Sequence, residues 1–457
     1  MNQEMLDFQF KYSPYIPYDP SINPHLAAYT THPCMGGVQP YVYTNWRDEE
    51  LSWHENCYLH AGLNPASTLW FKGPDALRML SENCTNGFKS FAIGKARHCV
   101  MVNEEGFIMQ DGLVIRLAED EFLSYWMLPY IDWVIDKGDY DIETKNITGD
   151  VFMHQLGGPR SLEILEATTG EDFHDLPFVG HRLSSIDGRD VRVIRIGMAG
   201  SLAYEVHGEF ADSIPVYNAL LKAGKPYGIR RLGRHAYWNV HTEAGFPQFS
   251  IHFFYSWDKD EGFFKYLMDN GGAYGCGPTS ELNGSMGPDI EARRFNPIEL
   301  GWERMISFEH DFVGKEALQK IMESPHREMR TLVWNPEDIL EIWKSEFEQG
   351  EPYAPLEGPE DVRVDGVAEY IHDKILKNGK TVGISSGRVF SWKFREMLSL
   401  GIVDPEVASL GTEVTILWGN PGTRQKEIRA IVSRFPYLDE DRNENVDLST
   451  IPSGLSG

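Results

Sequence analysis

The 457-residue sequence predicts an α+β fold with a separate C-terminal β-domain, and three observations support this prediction. Helical and strand patterns over residues 74–228 follow the order helix, strands, helix, strands, helix, which differs from the strict strand–helix repeat of a doubly wound sheet. Residues 328–440 consist mainly of strand patterns separated by turn residues. The chain is also longer than one hydrophobic core usually supports, so two or three domains are expected.

Three helices are predicted from apolar residues at helical spacing. They lie in "PDALRMLSENCT" (74–85), "GPRSLEILEATTG" (158–170) and "DSIPVYNALLKAGKPYG" (212–228). Strand patterns with turn residues follow the first two helices, at 98–127 and 190–208. Residues 74–127 and 158–208 are therefore predicted to form a pair of similar units.

These patterns divide the chain into five parts. The parts are an N-terminal arm (1–45), a first α+β unit (46–150), a second α+β unit (151–327), a C-terminal β-domain (328–440) and a tail (441–457). The second unit contains an excursion at 246–297 that is rich in Gly, Pro and aromatic residues and has little periodicity, which is typical of a functional loop region. The tail is polar and is expected to be loose.

The composition limits the possible partners and location. A formal charge of −26 and a pI near 5.0 argue against binding to nucleic acid or to an anionic membrane. No apolar run reaches the ~18 residues of a membrane span, and the N-terminus "MNQEMLDFQF" lacks the pattern of a signal peptide. Five scattered cysteines without a C-x-x-C pair indicate reduced thiols, so a cytoplasmic location is expected. The sequence predicts no particular oligomeric state.

One segment, "RRLGRHAYWNVHTEAGF" (230–246), concentrates polar side chains with catalytic potential. It contains a phenol, two imidazoles and guanidinium groups, but no metal-ligand spacing, no Gly-rich phosphate loop and no serine or cysteine nucleophile. On a helix, Tyr237 and His241 would share a face because they are four residues apart. The segment is either part of a site for a small molecule or an ordinary polar helix surface.

Five segments occur in a fixed order between about residues 45 and 436. They are "GFIMQDGLVIRL" (106–117), "GMAGSLAYEVHG" (197–208), "HTEAGF" (241–246), "NPIELGWERMISFEHDFVGKEAL" (296–318) and "VGISSGRVFSWKFREMLSLGIVD" (382–404). Together they resemble the folate-dependent aminomethyltransferase (glycine-cleavage T-protein) superfamily. The resemblance implies a three-lobed, T-protein-like cloverleaf: two α+β domains and a terminal β-domain around a central folate channel.

Further segments resemble a longer branch of that superfamily. They are "NWR" (45–47), "LWFKGPDAL" (69–77), "RHAYWN" (234–239) and "GTEVTILWG" (411–419). This branch contains tetrahydrofolate-dependent O-demethylases of methoxylated aromatics, of the vanillate and syringate type. The resemblance implies a small methoxylated aromatic substrate, tetrahydrofolate as the methyl acceptor, and the products phenol and 5-methyltetrahydrofolate.

The resemblance places the catalytic acid at Tyr237, which would protonate the ether oxygen as the C–O bond breaks. A phenol with a pKa near ~10 matches the basicity of a phenolate leaving group, and such a match favours proton transfer. His241 would assist the tyrosine or replace it. The alternatives are a tyrosine that packs a helix face and a structural histidine.

The resemblance also assigns residues to the folate. Glu205 would clamp the amino-pyrimidine edge of the pterin, and Asp111 would stabilise positive charge near N5. Arg234 would bind the glutamate carboxylate, Gln155 would contact the pterin and Phe246 would lie beside the folate. For Asp111 the competing interpretation is the Asp-Gly of a type I′ hairpin turn, and for Phe246 it is a core residue.

The substrate contacts depart from the vanillate-type pattern. The position of an arginine that holds the aromatic carboxylate in those enzymes aligns with Met127, and a methionine cannot bind a carboxylate. Either another residue, such as His60 or Arg116, anchors the same acids, or the substrate carries no carboxylate. Tyr43 and Trp126 are further candidates for the pocket wall, although each could be a core residue.

Three other functions remain open at this level. A sulfonium or N-methyl compound could replace the aryl ether as donor, which would require aromatic residues around a cation rather than a phenol acid. A non-catalytic folate-binding protein could share the fold. T-protein activity is less favoured, because that reaction uses a lipoylated carrier and this chain has additional substrate-side segments.

Overall fold

The computed structural model describes residues 28–31, 38–249, 251–269, 281–356, 361–362 and 368–455. Most of the predicted arm (1–45) therefore lies outside the described residues, as does part of the excursion. The helices of the described ranges are α1 Trp46–Glu55, α2 Ala76–Asn83, α3 Tyr130–Lys137, α4 Ser161–Thr169, α5 Ser213–Gly224, α6 Arg234–Ala244, α7 Glu261–Asp269, α8 Lys315–Met322 and α9 Pro336–Ser345.

The strands belong to four sheets. In the first half of the chain they are β1 Ala28–Thr31, β2 Val38–Val42, β3 Tyr58–His60, β4 Thr68–Lys72, β5 Ala96–Val102, β6 Ile108–Arg116, β7 Glu121–Tyr125, β8 Glu143–Asn146, β9 Val151–Gly157, β10 His181–Ile186, β11 Arg189–Ile194, β12 Ala203–Glu209 and β13 Arg230–Arg231. In the second half they are β14 Glu281–Asn283, β15 Glu328–Trp334, β16 Asp361–Val362, β17 Ala368–Lys377, β18 Lys380–Ser391, β19 Glu396–Val403, β20 Glu413–Trp418 and β21 Lys426–Ser433.

The two predicted similar units share one topology. The first sheet has the order β5-β6-β7-β4-β8, and the second has the order β10-β11-β12-β9-β3-β13. In each unit one strand (β4 or β9) leads into a helix (α2 or α4), and three antiparallel strands follow, the last of which pairs with the first strand. The prediction of paired α+β units is confirmed. Strand β3, however, lies within the range predicted for the first unit (46–150) but pairs with β9 in the second sheet, so this part of the predicted boundary was wrong.

The C-terminal sheet closes on itself. Its order is β14-β17-β18-β19-β15-β21-β20, and β17 also pairs with β20. Inward-facing residues such as Leu332, Ile416 and Trp418 form its core. Helix α9 forms in the acidic segment after β15 because Asn335 accepts hydrogen bonds from the backbone N–H groups of Glu337 and Asp338.

The tail is packed onto the second unit, so the expectation of a loose tail was wrong. The guanidinium of Arg195 donates to the side-chain oxygen of Asn443 at 3.1 Å and to its carbonyl at 2.6 Å. Leu448 is buried in the core of the second sheet, and the Gly454 N–H donates to Glu166 at 2.9 Å. Composition could not show this, because the polar tail is held by buried charged groups distant in sequence.

Helix α6 is enclosed almost completely, since all of its residues except His235 are buried. It begins after Gly233, where a Cβ atom would lie 2.5 Å from the carbonyl oxygen of Tyr41. The Gly233 N–H donates to Glu49 at 2.8 Å, and the same carboxylate accepts from the backbone N–H of Tyr43 at 2.8 Å. Glu49 thereby fixes the start of the helix against the preceding segment.

A buried polar cluster joins α6 to α1 and to the C-terminal domain. Glu243 accepts hydrogen bonds from Trp53 at 3.1 Å and His54 at 3.0 Å. Glu50 accepts from Asn239 at 2.9 Å and from the backbone N–H of Trp392 at 2.6 Å. Burial raises the pKa of both glutamates, and repulsion from Glu243 raises the pKa of Glu50 further. One of the two acids is therefore favoured in its neutral form.

No helix among the described residues has both the length and the apolar character needed to cross a bilayer. Cys57, Cys84 and Cys99 are buried free thiols, in agreement with the expectation of reduced cysteines for this part of the chain. The other two cysteines lie outside the described residues.

Replacing Glu243 with Gln removes one of the two buried acids and keeps the shape of the side chain. When folding raises the pKa of an acid, its protonated form stabilises the fold. This contribution is complete at pH values below the unfolded pKa of about 4.3, and it is lost as the pH rises through the folded pKa. We therefore expect the unfolding midpoint of Glu243→Gln, relative to wild type, to increase as the pH rises above the unfolded pKa. The exposed Glu323→Gln is the control. A difference in unfolding midpoint that does not vary with pH would contradict the conclusion that one of the two glutamates is neutral in the folded protein.

Candidate functional site

A cavity of about 1420 Å³ lies between the two α+β sheets, helix α6 and the excursion. Its wall contains eight of the eleven site residues predicted from the sequence: His60, Asp111, Trp126, Glu205, Arg234, Tyr237, His241 and Phe246. The other three, Tyr43, Met127 and Gln155, do not line it. The structure thus brings Tyr237 and Glu205, which are distant from each other in sequence, to one shared space.

Tyr237 lies in a stack of rings on the cavity wall. Its ring is 4.4 Å from that of His60 and nearly parallel to it, and 4.9 Å from that of His241 in an edge-on arrangement. The hydroxyl contacts the sulfur of Met198 at 3.4 Å. Burial raises the pKa of Tyr237, and nearby Arg234 opposes this rise in part. The phenol therefore keeps its proton at neutral pH, and in the empty cavity it is a weaker acid than the phenol with a pKa near ~10 that the sequence analysis assumed.

Both imidazoles beside Tyr237 are held in the same tautomer. Nδ1 of His60 lies 2.9 Å from the carbonyl of Leu232, and Nδ1 of His241 lies 3.1 Å from the carbonyl of Phe246. Because a carbonyl only accepts, we assign the hydrogen to Nδ1 and leave Nε2 as an acceptor. Burial lowers the pKa of His60 to about 4 and of His241 to about 3. At neutral pH His241 has no proton on Nε2, so Tyr237 is the better proton donor.

Glu205 is held from behind by a hydrogen-bond network. It lies directly opposite Gln155 in the pairing of β12 with β9, and the Gln155 amide donates to it at 3.2 Å. The Tyr58 hydroxyl donates in turn to Gln155 at 2.5 Å. His207, two residues along the same face of β12, contacts the other carboxylate oxygen at 3.0 Å and the Tyr125 hydroxyl at 3.0 Å. Gln155, expected to contact the pterin, instead orients Glu205 from outside the cavity.

Asp111 lies in the middle of β6, so the hairpin-turn interpretation of Asp111-Gly112 was wrong. Nε2 of His98 is 2.7 Å from one carboxylate oxygen, and the Tyr255 hydroxyl donates to the other at 2.7 Å. Gly112 is required for a different reason: a Cβ atom there would lie 2.3 Å from the carbonyl oxygen of Tyr125. That contact is next to Trp126, which has a left-handed backbone with φ of 68°.

The backbone at Trp126 decides which neighbouring side chain faces the cavity. Trp126 lines the cavity, whereas Met127 is fully buried in the core of the first sheet. Tyr43 is also a core residue, with the Arg231 guanidinium 4.8 Å above its ring. Met127 and Tyr43 are therefore not pocket residues in this structure. At this left-handed turn after β7, an assignment that is one residue off selects a core residue in place of a cavity residue.

Arg234 and Phe246 both line the cavity. The Arg234 guanidinium is buried and lies 4.3 Å above the ring of Trp238. The ring of Phe246 lies 6.0 Å from that of His241 and 5.3 Å from that of His98. Phe246 therefore separates the cluster around Tyr237 from the cluster around Asp111.

Several cavity residues were missed by the sequence analysis. His98 and Tyr255 bind Asp111, and Gln110 donates to the carbonyl of Trp126 at 2.6 Å. The rings of Phe249 and Trp257 both pack against that of Tyr255, with centroids 4.1 and 5.3 Å away, and lie 5.8 Å from each other. The available signals were a histidine within the apolar strand "ARHCVMV" and the dense aromatics of the excursion. Neither signal indicates which residue the side chain contacts in the fold.

Two groups of side chains among the described residues have the spacing of metal ligands. They are Glu50, His54 and Glu243, and Glu166, Asp172 and His174. Neither group lines the cavity, and the first is the buried cluster that joins α6 to α1. The arrangement in the cavity itself supports proton transfer and positioning by side chains.

Taken together, two repeated α+β units, a C-terminal β-domain and a central cavity lined by acid–base side chains indicate an enzyme that acts on small molecules. A family model described as the GCVT N-terminal domain matches residues 31–253. Sesamin methylene transferase from Sinomonas sp. is 40% identical over 432 residues, which cover 91% of this chain and 94% of that protein. Syringate O-demethylase from Sphingobium sp. is 33% identical over 421 residues, which cover 87% and 89%. The chain belongs to the GCVT (glycine-cleavage T-protein) family and is an enzyme of the methyltransferase and O-demethylase type.

A solved structure confirms the predicted fold. The glycine cleavage system aminomethyltransferase T from Bartonella henselae matches with a TM-score of 0.65 and 17% identity, covering 91% of this chain and 95% of that one. The likeness extends over nearly the whole of both chains. The T-protein-like arrangement with a C-terminal β-domain is therefore shown.

Gly112→Ala tests the close approach of β6 to the Trp126 backbone. The added Cβ would overlap the Tyr125 carbonyl, so we expect the unfolding midpoint to fall by about 5 °C or more. Gly188→Ala is the control, because its Cβ would meet nothing within 4 Å and would add only the cost of a left-handed backbone, about 1–2 kcal/mol. Equal shifts in the two variants, measured by thermal unfolding, would show that the contact at Gly112 does not matter.

Proposed function

We propose that this enzyme transfers the methyl group of a methoxylated aromatic compound to N5 of tetrahydrofolate, which yields a phenol and 5-methyltetrahydrofolate. The observation that carries the proposal is that Tyr237 and Glu205 line the same cavity. A buried phenol that keeps its proton faces the space into which an orienting carboxylate also points. The relatives named above support an aryl ether or a related aromatic donor.

The donor side of the cavity suits cleavage of an aryl ether. The methyl group moves by displacement, and the phenolate leaves more easily if a proton reaches its oxygen as the C–O bond breaks. Tyr237 supplies that proton, and a positioned acid contributes about 10²–10⁴-fold in rate. Alignment of the two substrates in the cavity contributes about 7–11 kcal/mol of the barrier. His60, whose Nε2 is an acceptor, suits a hydroxyl group next to the methoxyl group.

The acceptor side of the cavity suits a reduced folate. Tetrahydrofolate supplies the N5 lone pair that accepts the carbon. Glu205, held by Gln155 and His207, would accept hydrogen bonds from the amino-pyrimidine edge. Arg234 and Phe246 would lie along the folate. Lys95, Arg97 and Arg304 also line the cavity, and their positive charge suits the glutamate carboxylates of the cofactor despite the acidic chain.

The donor contacts favour aromatic compounds that do not depend on a carboxylate for binding. The guanidinium of Arg116, one possible anchor, donates to the carbonyl oxygens of three nearby residues at 2.5, 2.8 and 3.2 Å. Met127, at the position of the usual arginine, lies in the core. We therefore expect neutral methoxyphenols to be better donors than methoxybenzoates.

A methylenedioxy aromatic compound is the second candidate donor, because the relative with 40% identity is named a methylene transferase. Transfer of that carbon would release both ring oxygens as hydroxyl groups and give 5,10-methylenetetrahydrofolate. Tyr237 would serve as the acid in the same way. The two candidates differ in the folate product and not in the site.

To test the proposal directly, the purified protein is incubated with tetrahydrofolate and a panel of donors. The folate products are then separated and identified by chromatography. The panel contains methoxyphenols, methoxybenzoates, methylenedioxybenzenes, and methylated sulfonium and amine compounds. A 5-methyl product from a methoxylated aromatic supports the first candidate, and a 5,10-methylene product supports the second. Product from sulfonium or amine donors only, or tight folate binding without any product, would overturn the proposal.

Tyr237→Phe tests the acid. Because only the hydroxyl is lost, we expect kcat to fall by about 10²-fold or more with little change in KM for either substrate. Tyr227→Phe is the matched control, since this tyrosine does not line the cavity. Wild-type turnover by Tyr237→Phe would exclude proton donation by the tyrosine and would favour a sulfonium donor, whose leaving group needs no proton.

Glu205→Gln tests the folate clamp. The amide keeps the shape but replaces one acceptor oxygen with a donor, so we expect the affinity for tetrahydrofolate to fall by about 10-fold or more. Glu209→Gln, an exposed position on the same strand, is the control. The measurement is titration calorimetry with tetrahydrofolate alone. Unchanged affinity would remove Glu205 from the folate site.

A further inference from the structure

One part of the cavity wall, formed by residues 86–97 and 304–310, carries a charge opposite to that of the whole chain. Four cationic side chains line the cavity there: Lys89, Lys95, Arg97 and Arg304. Glu309 is the one acidic residue of these two segments. We call this part of the wall the basic rim. A local excess of cations in a chain with a formal charge of −26 favours an anionic ligand at that place.

The two segments of the basic rim lie next to each other. The sulfur of Met305 is 3.3 Å from Nδ1 of His98. Arg304 directly precedes Met305 in the sequence, and Arg97 directly precedes His98. The contact therefore places the two arginines on the same part of the cavity wall, although they are distant from each other in the sequence.

Most of the positive charge on the basic rim is not neutralised by the protein. Within the described ranges, Lys95, Arg97 and Arg304 make no ion pair. The Arg97 guanidinium lies over the rings of Phe88 and Phe91, with centroids 5.6 and 5.0 Å away. Aromatic rings position a cation but do not cancel its charge. The three cations are therefore able to bind carboxylates of a ligand.

Lys89, the fourth cation, has only a weak competitor. Its ammonium group lies 3.2 Å from the carboxylate of Glu309, and the two side chains are 82% and 75% exposed. Ion pairs between exposed side chains contribute little to stability, because water and salt screen them. A ligand carboxylate can therefore replace Glu309 as the partner of Lys89.

The proposed position of the folate directs its tail towards the basic rim. Glu205 would hold the amino-pyrimidine edge of the pterin, and Asp111 would lie near N5. The p-aminobenzoyl-glutamate part of the cofactor extends from the ring carbon next to N5. Asp111 contacts His98 at 2.7 Å, and His98 contacts Met305 in the basic rim. The carboxylates of the tail would therefore lie at the basic rim.

We propose that the basic rim binds the γ-linked oligoglutamate tail of a folate, an inference that rests on the proposed function. A folate with a single glutamate carries two carboxylates, and each further γ-linked glutamate adds one. A triglutamate tail carries four carboxylates, which equals the number of cations on the basic rim. The enzyme accordingly binds oligoglutamyl tetrahydrofolates more tightly than the monoglutamate.

Titration calorimetry of the wild-type protein with monoglutamyl and triglutamyl tetrahydrofolate tests the inference. Each exposed charge pair contributes about 2–5-fold in affinity, so we expect the triglutamate to bind about 10-fold more tightly. At about 0.5 M KCl this preference should fall, because salt shortens the range of the attraction. Equal affinities at low salt, or a preference that does not change with salt, would overturn the inference.

The double variant Lys95→Gln/Arg304→Gln tests the assignment to these side chains. We expect the preference for the triglutamate to fall from about 10-fold to about threefold or less. The control is Lys222→Gln/Lys320→Gln, which removes the same charge from two exposed positions outside the cavity and should keep the wild-type preference. An unchanged preference in Lys95→Gln/Arg304→Gln would remove the tail from the basic rim.

Glu309→Gln tests the same site by a gain in affinity, which a damaged fold cannot produce. The variant removes the acidic residue of the basic rim and releases Lys89. We expect the affinity for the triglutamate to rise by about twofold or more, with a smaller change for the monoglutamate. An unchanged or lower affinity for the triglutamate would contradict the role of Lys89.

The outcomes separate this inference from the proposed function. If the wild-type protein binds both folates equally and still forms product from an aromatic donor, the role of the basic rim is overturned and the methyl transfer stands. If it binds neither folate, both proposals are overturned. A triglutamate preference that depends on Lys95 and Arg304 supports the inference whichever aromatic donor is used.

Discussion

The complete burial of helix α6 is the constraint on which the site depends. A helix enclosed on nearly every side has to find a partner inside the protein for each polar side chain. Tyr237 and His241 on one face line the cavity, whereas Asn239 and Glu243 on the opposite face join the buried cluster with α1 and the C-terminal domain. Any shift of the helix would disrupt both faces together, so the same contacts that hold the domains also hold the phenol in place.

Two clusters of polar groups in the cavity lie on either side of Phe246. One cluster contains neutral groups only, a phenol and two imidazoles whose protonation burial disfavours. The other contains a carboxylate with a donor at each oxygen. The first arrangement suits delivery of a proton to a leaving oxygen, and the second suits acceptance of a proton or of positive charge. A displacement between two substrates needs these properties at opposite ends, and the structure separates them by one aromatic ring.

The repeated α+β unit explains how the cavity obtains its acids. Asp111 lies on the first sheet and Glu205 on the second, and each is held by a neighbour from its own sheet, His98 and Gln155. The sheets therefore orient the carboxylates before any ligand is present, which limits the ordering that binding requires. The excursion adds Tyr255, which donates to Asp111 from outside the two sheets.

The sequence by itself determined the fold class, the paired units, the C-terminal β-domain and most of the cavity residues, because periodicity and the resemblance of whole segments are carried by neighbouring residues. Only the tertiary structure decided which way the residues after a strand face: Trp126 lines the cavity and Met127 the core because a left-handed backbone lies between β7 and α3. It also decided partners across long separations, such as Asp111 with Tyr255 and Arg195 with Asn443. Such pairs depend on register and chain packing, which leave no local pattern in the sequence.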